Sequence, residues 1–235
     1  MKIALAQINP TVGALSENSR KIEEIIQGYS SKCDLIVFPE MCLTGYPPQD
    51  LLMDSSFIEN KGVPLVAVPS TAGTGSEATH FAVIYKENVK YSIAHPYLLP
   101  NCAIVDAQFT FELPPYITAC SGFDALCQAI ESFWSVQASE ISKGYAREAI
   151  IKIRENLLNS IRESNQKSRQ QMAHAALLSG KAINITKTTA PHAISYPFTS
   201  LYKISHGHAV SLSLEKFISI SSLGLSVKSG SIILQ

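Results

Sequence analysis

The sequence has no excess of either charge: 19 lysines and arginines balance 19 aspartates and glutamates among 235 residues, and only 16% of positions are charged. A neutral chain offers a polyanion no electrostatic attraction, so nucleic acid is not expected as a partner. No apolar run reaches membrane-spanning length and no signal peptide precedes the first strand, so a cytoplasmic protein without membrane contact is expected. The five cysteines form no Cys-x-x-Cys pair, and an odd set without that spacing fits a reducing compartment. Repeats are absent, and so are low-complexity tracts apart from a serine-flecked tail. No Gly-x-Gly-x-x-Gly follows the first strand, which removes the usual dinucleotide fingerprint from that place. What remains is 46% hydrophobic and long enough for one or two globular cores.

What is present is a spaced set of metal-ligand residue types: Asp124-Ala-Leu-Cys-Gln128, then His192, then His206-Gly-His208. Four-residue spacing on a helix puts Asp124 and Gln128 on one face. Fourteen residues separate His192 from His206, enough for a helix end and a loop to bring both imidazoles to that face. Two imidazole nitrogens and one carboxylate oxygen suit divalent zinc or iron, and the Gln128 carbonyl could add a weak fourth contact or leave the place open. Spacing alone leaves other readings: Ser121 followed by Asp124 also reads as a helix capping box, and lone histidines are often core or surface residues.

The surrounding residues decide between them. Pro64-Leu-Val-Ala-Val-Pro-Ser-Thr-Ala-Gly-Thr-Gly-Ser-Glu77, Ser121-Gly-Phe-Asp-Ala-Leu-Cys-Gln-Ala-Ile-Glu-Ser-Phe-Trp134, Ala190-Pro-His-Ala-Ile-Ser-Tyr-Pro197 and Ile204-Ser-His-Gly-His-Ala209 resemble, in the same order, the iron-containing (group III) alcohol dehydrogenases over about residues 61 to 218. The resemblance implies that Asp124, Gln128, His192 and His206 hold the metal, with Asp124, His192 and His206 as the catalytic set. It also implies that Ser70, Thr71, Thr74, Thr79 and Lys90 face an NAD or NADP cofactor. Gln128 stands where a histidine is commonest in the family, and Tyr196 where many members carry a further active-site histidine. With Lys187-Thr-Thr-Ala-Pro-His-Ala-Ile-Ser-Tyr196, both departures look more like the branch that includes phosphonoacetaldehyde reductases.

A metal at this site would polarise a carbonyl or lower the pKa of a bound alcohol, while a nicotinamide ring gives or accepts hydride. Small alcohols and aldehydes are the implied substrates. The stretch Ser70-Thr-Ala-Gly-Thr-Gly-Ser76 offers amides, hydroxyls and two glycines for the approach of a phosphate or ribose, although by itself it reads as a turn after a buried strand from Leu65 to Val68. His208 reads as a solvated histidine before a proton relay, and His174 as a core or boundary histidine. Ala103-Ile-Val-Asp106 reads as a second buried strand, with Asp106 capping the turn that follows.

The start of the chain reads differently. Met1 to Gly13 alternates apolar residues up to Asn9-Pro10, as a strand does; Ile22, Ile25, Ile26 and Tyr29 form one helical stripe; Asp34-Leu-Ile-Val-Phe-Pro-Glu40 is a short apolar strand. With Leu43-Thr-Gly-Tyr-Pro-Pro-Gln-Asp50, this strand–helix–strand unit resembles the nitrilase-like glutaminase domain of glutamine-dependent NAD synthetases over about residues 1 to 60. Glu40 matches that family's glutamate base, but nothing matches its lysine or its nucleophilic cysteine, and Cys33 and Cys42 read as buried or half-buried thiols. No amide hydrolysis is expected.

The expected architecture is therefore an α/β N-terminal portion followed by a mainly helical metal-binding domain of truncated iron alcohol dehydrogenase (dehydroquinate synthase-like) type, fused to a nitrilase-like βαβ fragment. Its parts are residues 1–60 (nitrilase-like), 61–120 (partial nucleotide-binding α/β segment), 121–218 (helical metal-binding domain) and 219–235 (irregular tail). Ala146, Ile150, Ile153, Leu157 and Ile161 mark a long amphipathic helix in the third part, and Gln170 to Ile183 a close-packing one rich in small residues. Incomplete domains would expose apolar faces and favour a homo-oligomer. The alternatives to a dehydrogenase are an inactive fusion that binds metal structurally and, resting on Glu40 alone, a glutaminase.

Overall fold

The computed structural model describes residues 2–6, 8, 11, 14–38, 58, 64–86, 89–163 and 165–222, with backbone alone at 15, 84–86, 89–91 and 220–222. Two compact units emerge, Met1–Glu59 with Ala82–Ala94, and Asn60–Phe81 with His95–Gln235.

In the first unit, β1 (Ile3–Leu5) and β2 (Leu35–Val37) pair in parallel, with Ile3 opposite Leu35 and Leu5 opposite Val37. Helix α1 (Leu15–Tyr29) connects them, as parallel strands require. Its approach is pinned by Asn18, whose Oδ1 accepts from the Thr11 amide (2.9 Å) and whose Nδ2 donates to the Thr11 carbonyl. Of the predicted stripe only Ile22 is buried; Ile26 and Tyr29 are exposed. Strands β4 (Phe81–Lys86) and β5 (Val89–Ala94) pair with each other.

In the second unit, β3 (Val66–Ala67) pairs in parallel with β6 (Cys102–Ala103). These strands are shorter and more open than the sequence predicts. Leu65, Val66, Val68 and Ile104 are all exposed, because among the described residues β3 and β6 form a two-stranded ribbon with no third strand beside them. Asp106 does cap the next turn, its carboxylate accepting from the Gln108 amide at 2.9 Å.

Among the described residues five α-helices follow: α2 (Pro115–Trp134), α3 (Glu140–Arg162), α4 (Gln166–Thr186), α5 (Ala190–Ser200) and α6 (His206–Ser222). Proline at the first position of α2 has no amide to leave unsatisfied, so the helix starts there, and Ser121 lies well inside it rather than at a cap. Ser139 and Ser142 cap α3 reciprocally, and Asn165 caps α4 by accepting from the Ser168 amide. The core lies between α2, α3 and α4, where Ala125, Ile153, Leu157, Met172, Ala175 and Ala176 pack together. The predicted α3 stripe is the buried face, fully so at Ala146 and Ile153 and nearly so at Leu157. His174 on α4 corrects its reading: it is exposed, on the side of the helix away from Ala173, Ala175 and Ala176. Residues 219–222 of the expected irregular tail are helical, since α6 continues through Ser222, and the rest of it lies outside the described residues.

The glycines of residues 70–76 serve helix packing. A Cβ on Gly73 would stand 2.9 Å from the Ser121 Cβ of α2, and one on Gly75 would stand 2.5 Å from the Cα of Gly180 on α4. Gly75 also has φ +62°, a left-handed conformation that side chains oppose. Gly180→Ala is therefore expected to destabilise the chain by about 1–3 kcal/mol, as overpacking does. Gly144→Ala, on α3 with open space around its Cβ position, is expected to stabilise it by about 0.5–1 kcal/mol. Urea unfolding of the two variants checks this pair of opposite signs; shifts in the same direction would contradict the clamp.

Candidate metal centre

Asp124 projects from the middle of α2, His192 from the first turn of α5, and His206 from the first residue of α6. One ligand atom from each lies within 4.8 Å of the other two. The Asp124 Oδ1 is 3.2 Å from the His192 Nε2 and 3.8 Å from the His206 Nε2. Ligand atoms about 2.0–2.1 Å from a tetrahedral divalent ion stand roughly 3.3 Å from one another, so this donor set fits a zinc- or iron-sized cation with little movement. Asp124 and His192 are buried, while His206 keeps about a third of its side chain exposed and forms the open side.

Gly207 makes this convergence sterically possible. A Cβ there would stand 1.9 Å from the Cys120 carbonyl oxygen and 3.0 Å from the Asp124 Cβ, so only glycine lets α6 close on α2 and deliver His206. Gln128, one turn along from Asp124, is buried; the Ser179 hydroxyl donates to the Ala125 carbonyl (2.8 Å) and lies 3.2 Å from the Gln128 Oε1. Tyr196 stacks on His206, with centroids 6.4 Å apart and planes at 15°, which brings it to the open side of the site. His208 is exposed and pairs with the Tyr116 hydroxyl at 3.3 Å.

One residue that sequence reasoning passed over is Glu131. It is fully buried, and one carboxylate oxygen accepts from the His192 Nδ1. The other accepts from the Thr189 amide (2.5 Å) and hydroxyl (2.9 Å). The signal was available: an acidic residue seven positions after Asp124 shares its helical face, in a segment otherwise apolar enough to be buried. Cys127, between the two carboxylates in sequence, packs instead against Val210 and Leu214. Burial, then Glu131 and Asp124, push its thiol far up, so it stays protonated.

The proposed cofactor residues belong to both units. Ser70 and Thr74 are exposed, Thr71 is half-buried, and Thr79 is buried with its hydroxyl donating to the Ser76 carbonyl. Thr74 accepts from the Ser76 hydroxyl at 2.9 Å, a local turn contact. Lys90 belongs to β5 in the first unit, and its side chain lies outside the described residues. Glu40 and Cys42 also lie outside them, while Cys33 is half-buried with its thiol donating to the Tyr29 carbonyl.

Comparison with known proteins gives these helices a family. The iron-containing alcohol dehydrogenase model matches residues 40–107, and that for the C-terminal part of the Fe-containing alcohol dehydrogenase family matches residues 118–229. The chain belongs to the iron-containing alcohol dehydrogenase family. It is 39% identical over 153 residues to a long-chain-alcohol dehydrogenase of Geobacillus thermodenitrificans, covering 65% of this chain and 39% of that one. A phosphonoacetaldehyde reductase of Streptomyces viridochromogenes is 34% identical over 160 residues, covering 66% and 40%. The crystal structure of sulfoacetaldehyde reductase from Bifidobacterium kashiwanohense in complex with NAD+ aligns with TM-score 0.69 and 32% identity, over 92% of this chain and 60% of that one. The chain thus spans less than half the length of these curated relatives.

These findings give no support to a fused nitrilase-like fragment. The family match runs across residue 60, and a structural alignment over 92% of the chain leaves too few residues over to omit the whole strand–helix–strand unit. A parallel βαβ unit is common to many folds, so its pattern alone could not distinguish them. Among the described residues, no helix is long and apolar enough to cross a membrane.

Burial would lower the His192 pKa, but Glu131 and Asp124 outweigh it and carry it up to about 9. A folded-state value above the ordinary 6.5 means stability that is fully present below pH 6.5 and lost as pH rises through 9. Thermal melts of metal-free protein should therefore show a melting temperature falling over that window. A flat or rising profile would contradict the buried imidazolium.

Proposed function

We propose that this chain is a metal-dependent alcohol dehydrogenase or aldehyde reductase that transfers hydride between NAD or NADP and a small alcohol or aldehyde. The observation that carries the reading is the convergence of Asp124, His192 and His206 on one partly open site within this family's helical unit. A divalent iron or zinc ion held by these three residues would act as a Lewis acid on a substrate oxygen. Gln128 either adds a weak contact or leaves the fourth position to substrate.

The chain's own residues do the rest. Asp124 and His192 are held rigidly in the interior, so the site need not reorganise when substrate enters. Tyr196 covers one face of His206 and narrows the approach from solvent. Ser70, Thr71 and Thr74 offer hydroxyls for cofactor contact, while the buried Thr79 keeps the turn in shape. Support for the nicotinamide cofactor comes from the NAD+ bound to the related sulfoacetaldehyde reductase. Gln128 and Tyr196, together with the similarity to a phosphonoacetaldehyde reductase, favour an anionic two-carbon aldehyde within the substrate class. A homo-oligomer fits the exposed apolar residues of the β3–β6 ribbon.

Purified protein reconstituted with iron or zinc is expected to hold about one ion per chain, lost in His206→Ala. The loaded protein should consume NADH or NADPH with phosphonoacetaldehyde or a short aldehyde. Metal retention without any nicotinamide binding would instead establish a structural metal site.

A further inference from the structure

A chain of hydrogen bonds, buried at His192 and half-buried beyond Glu131, runs from the candidate metal centre to the end of α2. His192 presents its Nε2 toward Asp124 and its Nδ1 to Glu131. Glu131 continues to the Thr189 amide and hydroxyl, and the Thr189 hydroxyl accepts from the Trp134 indole N–H at 3.1 Å. Trp134 is the single tryptophan of the sequence.

We infer that Glu131 is the positioning residue of the metal centre, fixing the ring orientation and tautomer of His192 and coupling metal occupancy to the Thr189–Trp134 contact at the α2–α5 junction. The inference rests on the reading of Asp124, His192 and His206 as metal ligands.

An imidazole binds a metal through one nitrogen only when its proton resides on the other, and a carboxylate accepting at Nδ1 holds it there, so that a cation entering beside Asp124 displaces only the Nε2 proton. A fully buried carboxylate must have its lone pairs satisfied, and here every partner belongs to α5 or to the residue preceding it. Glu131 therefore also fixes where α5 begins, since Thr189 immediately precedes that helix. Locking the His192 ring by a cation then constrains Glu131, Thr189 and, through its N–H, the indole.

Cobalt(II) titration of the metal-free full chain tests this, read both by the visible ligand-field absorption of cobalt and by tryptophan emission. The wild-type chain should bind cobalt with a parallel change in Trp134 emission. Glu131→Gln, which keeps the side-chain volume, should weaken cobalt binding about 10- to 100-fold and alter the absorption band. Thr189→Val, which keeps the backbone amide contact and the fold, should still bind cobalt but lose most of the emission change. Equal cobalt affinity and an identical band in wild type and Glu131→Gln would overturn the positioning role, and an unchanged emission response in Thr189→Val would overturn the coupling. A wild-type chain that takes up no cobalt would overturn the metal reading itself, and this inference with it.

Discussion

The second unit depends on how one buried helix satisfies its polar face. Asp124, Gln128 and Glu131 fall at i, i+4 and i+7 along α2, and all three are at least nine-tenths buried. Leaving such groups unpaired would cost several kcal/mol each in a dry interior, so the helices around α2 must bring partners to specific positions. Helix α4 brings Ser179 to the Gln128 level, α5 and the residue before it bring His192 and Thr189 to Glu131, and α6 brings His206 to Asp124. The polar stripe of α2 thereby selects the arrangement of α4, α5 and α6, and the cation site arises where two of those partners meet one carboxylate.

Close approach is the second requirement, and small residues provide it. Gly207 lets α6 reach α2, Gly122 makes room for Leu157 and Met172, and alanines line the contacts of α2 with α3 and α4. The turn at 70–76 is seated by the same means, against Ser121 and Gly180. A hydroxyl-rich turn held this firmly to the helical unit keeps a fixed position relative to the metal centre, which a cofactor contact would need.

Much of this was legible in the sequence, and unevenly. Helix periodicity marked α3, because that signal is local; spacing alone left the ligand residues open, and the resemblance of the surrounding segments picked out Asp124, His192 and His206, which lie together in the structure. Strand burial was not legible: Leu65 to Val68 has the composition of a buried strand, yet its burial depends on neighbours that its own residues do not specify. Ser121 resembled a cap because its side chain and spacing suit one, whereas the prolines at 114 and 115 set the helix start six residues earlier. Glu131 was missed because a glutamate is ordinarily a solvated residue, and only the burial of the whole face around it shows otherwise. His174 was misplaced by the opposite error, on a helix whose small residues obscure which side faces water.

The central claim is that one carboxylate and two imidazoles bind a single cation. X-ray absorption at the metal edge of the iron- or zinc-loaded chain tests it most directly. The account predicts a shell of nitrogen and oxygen scatterers near 2.0–2.2 Å that includes two imidazole rings and no sulfur. A sulfur scatterer near 2.3 Å, which would implicate a thiol such as the buried Cys127, or an all-oxygen shell without imidazole, would contradict it.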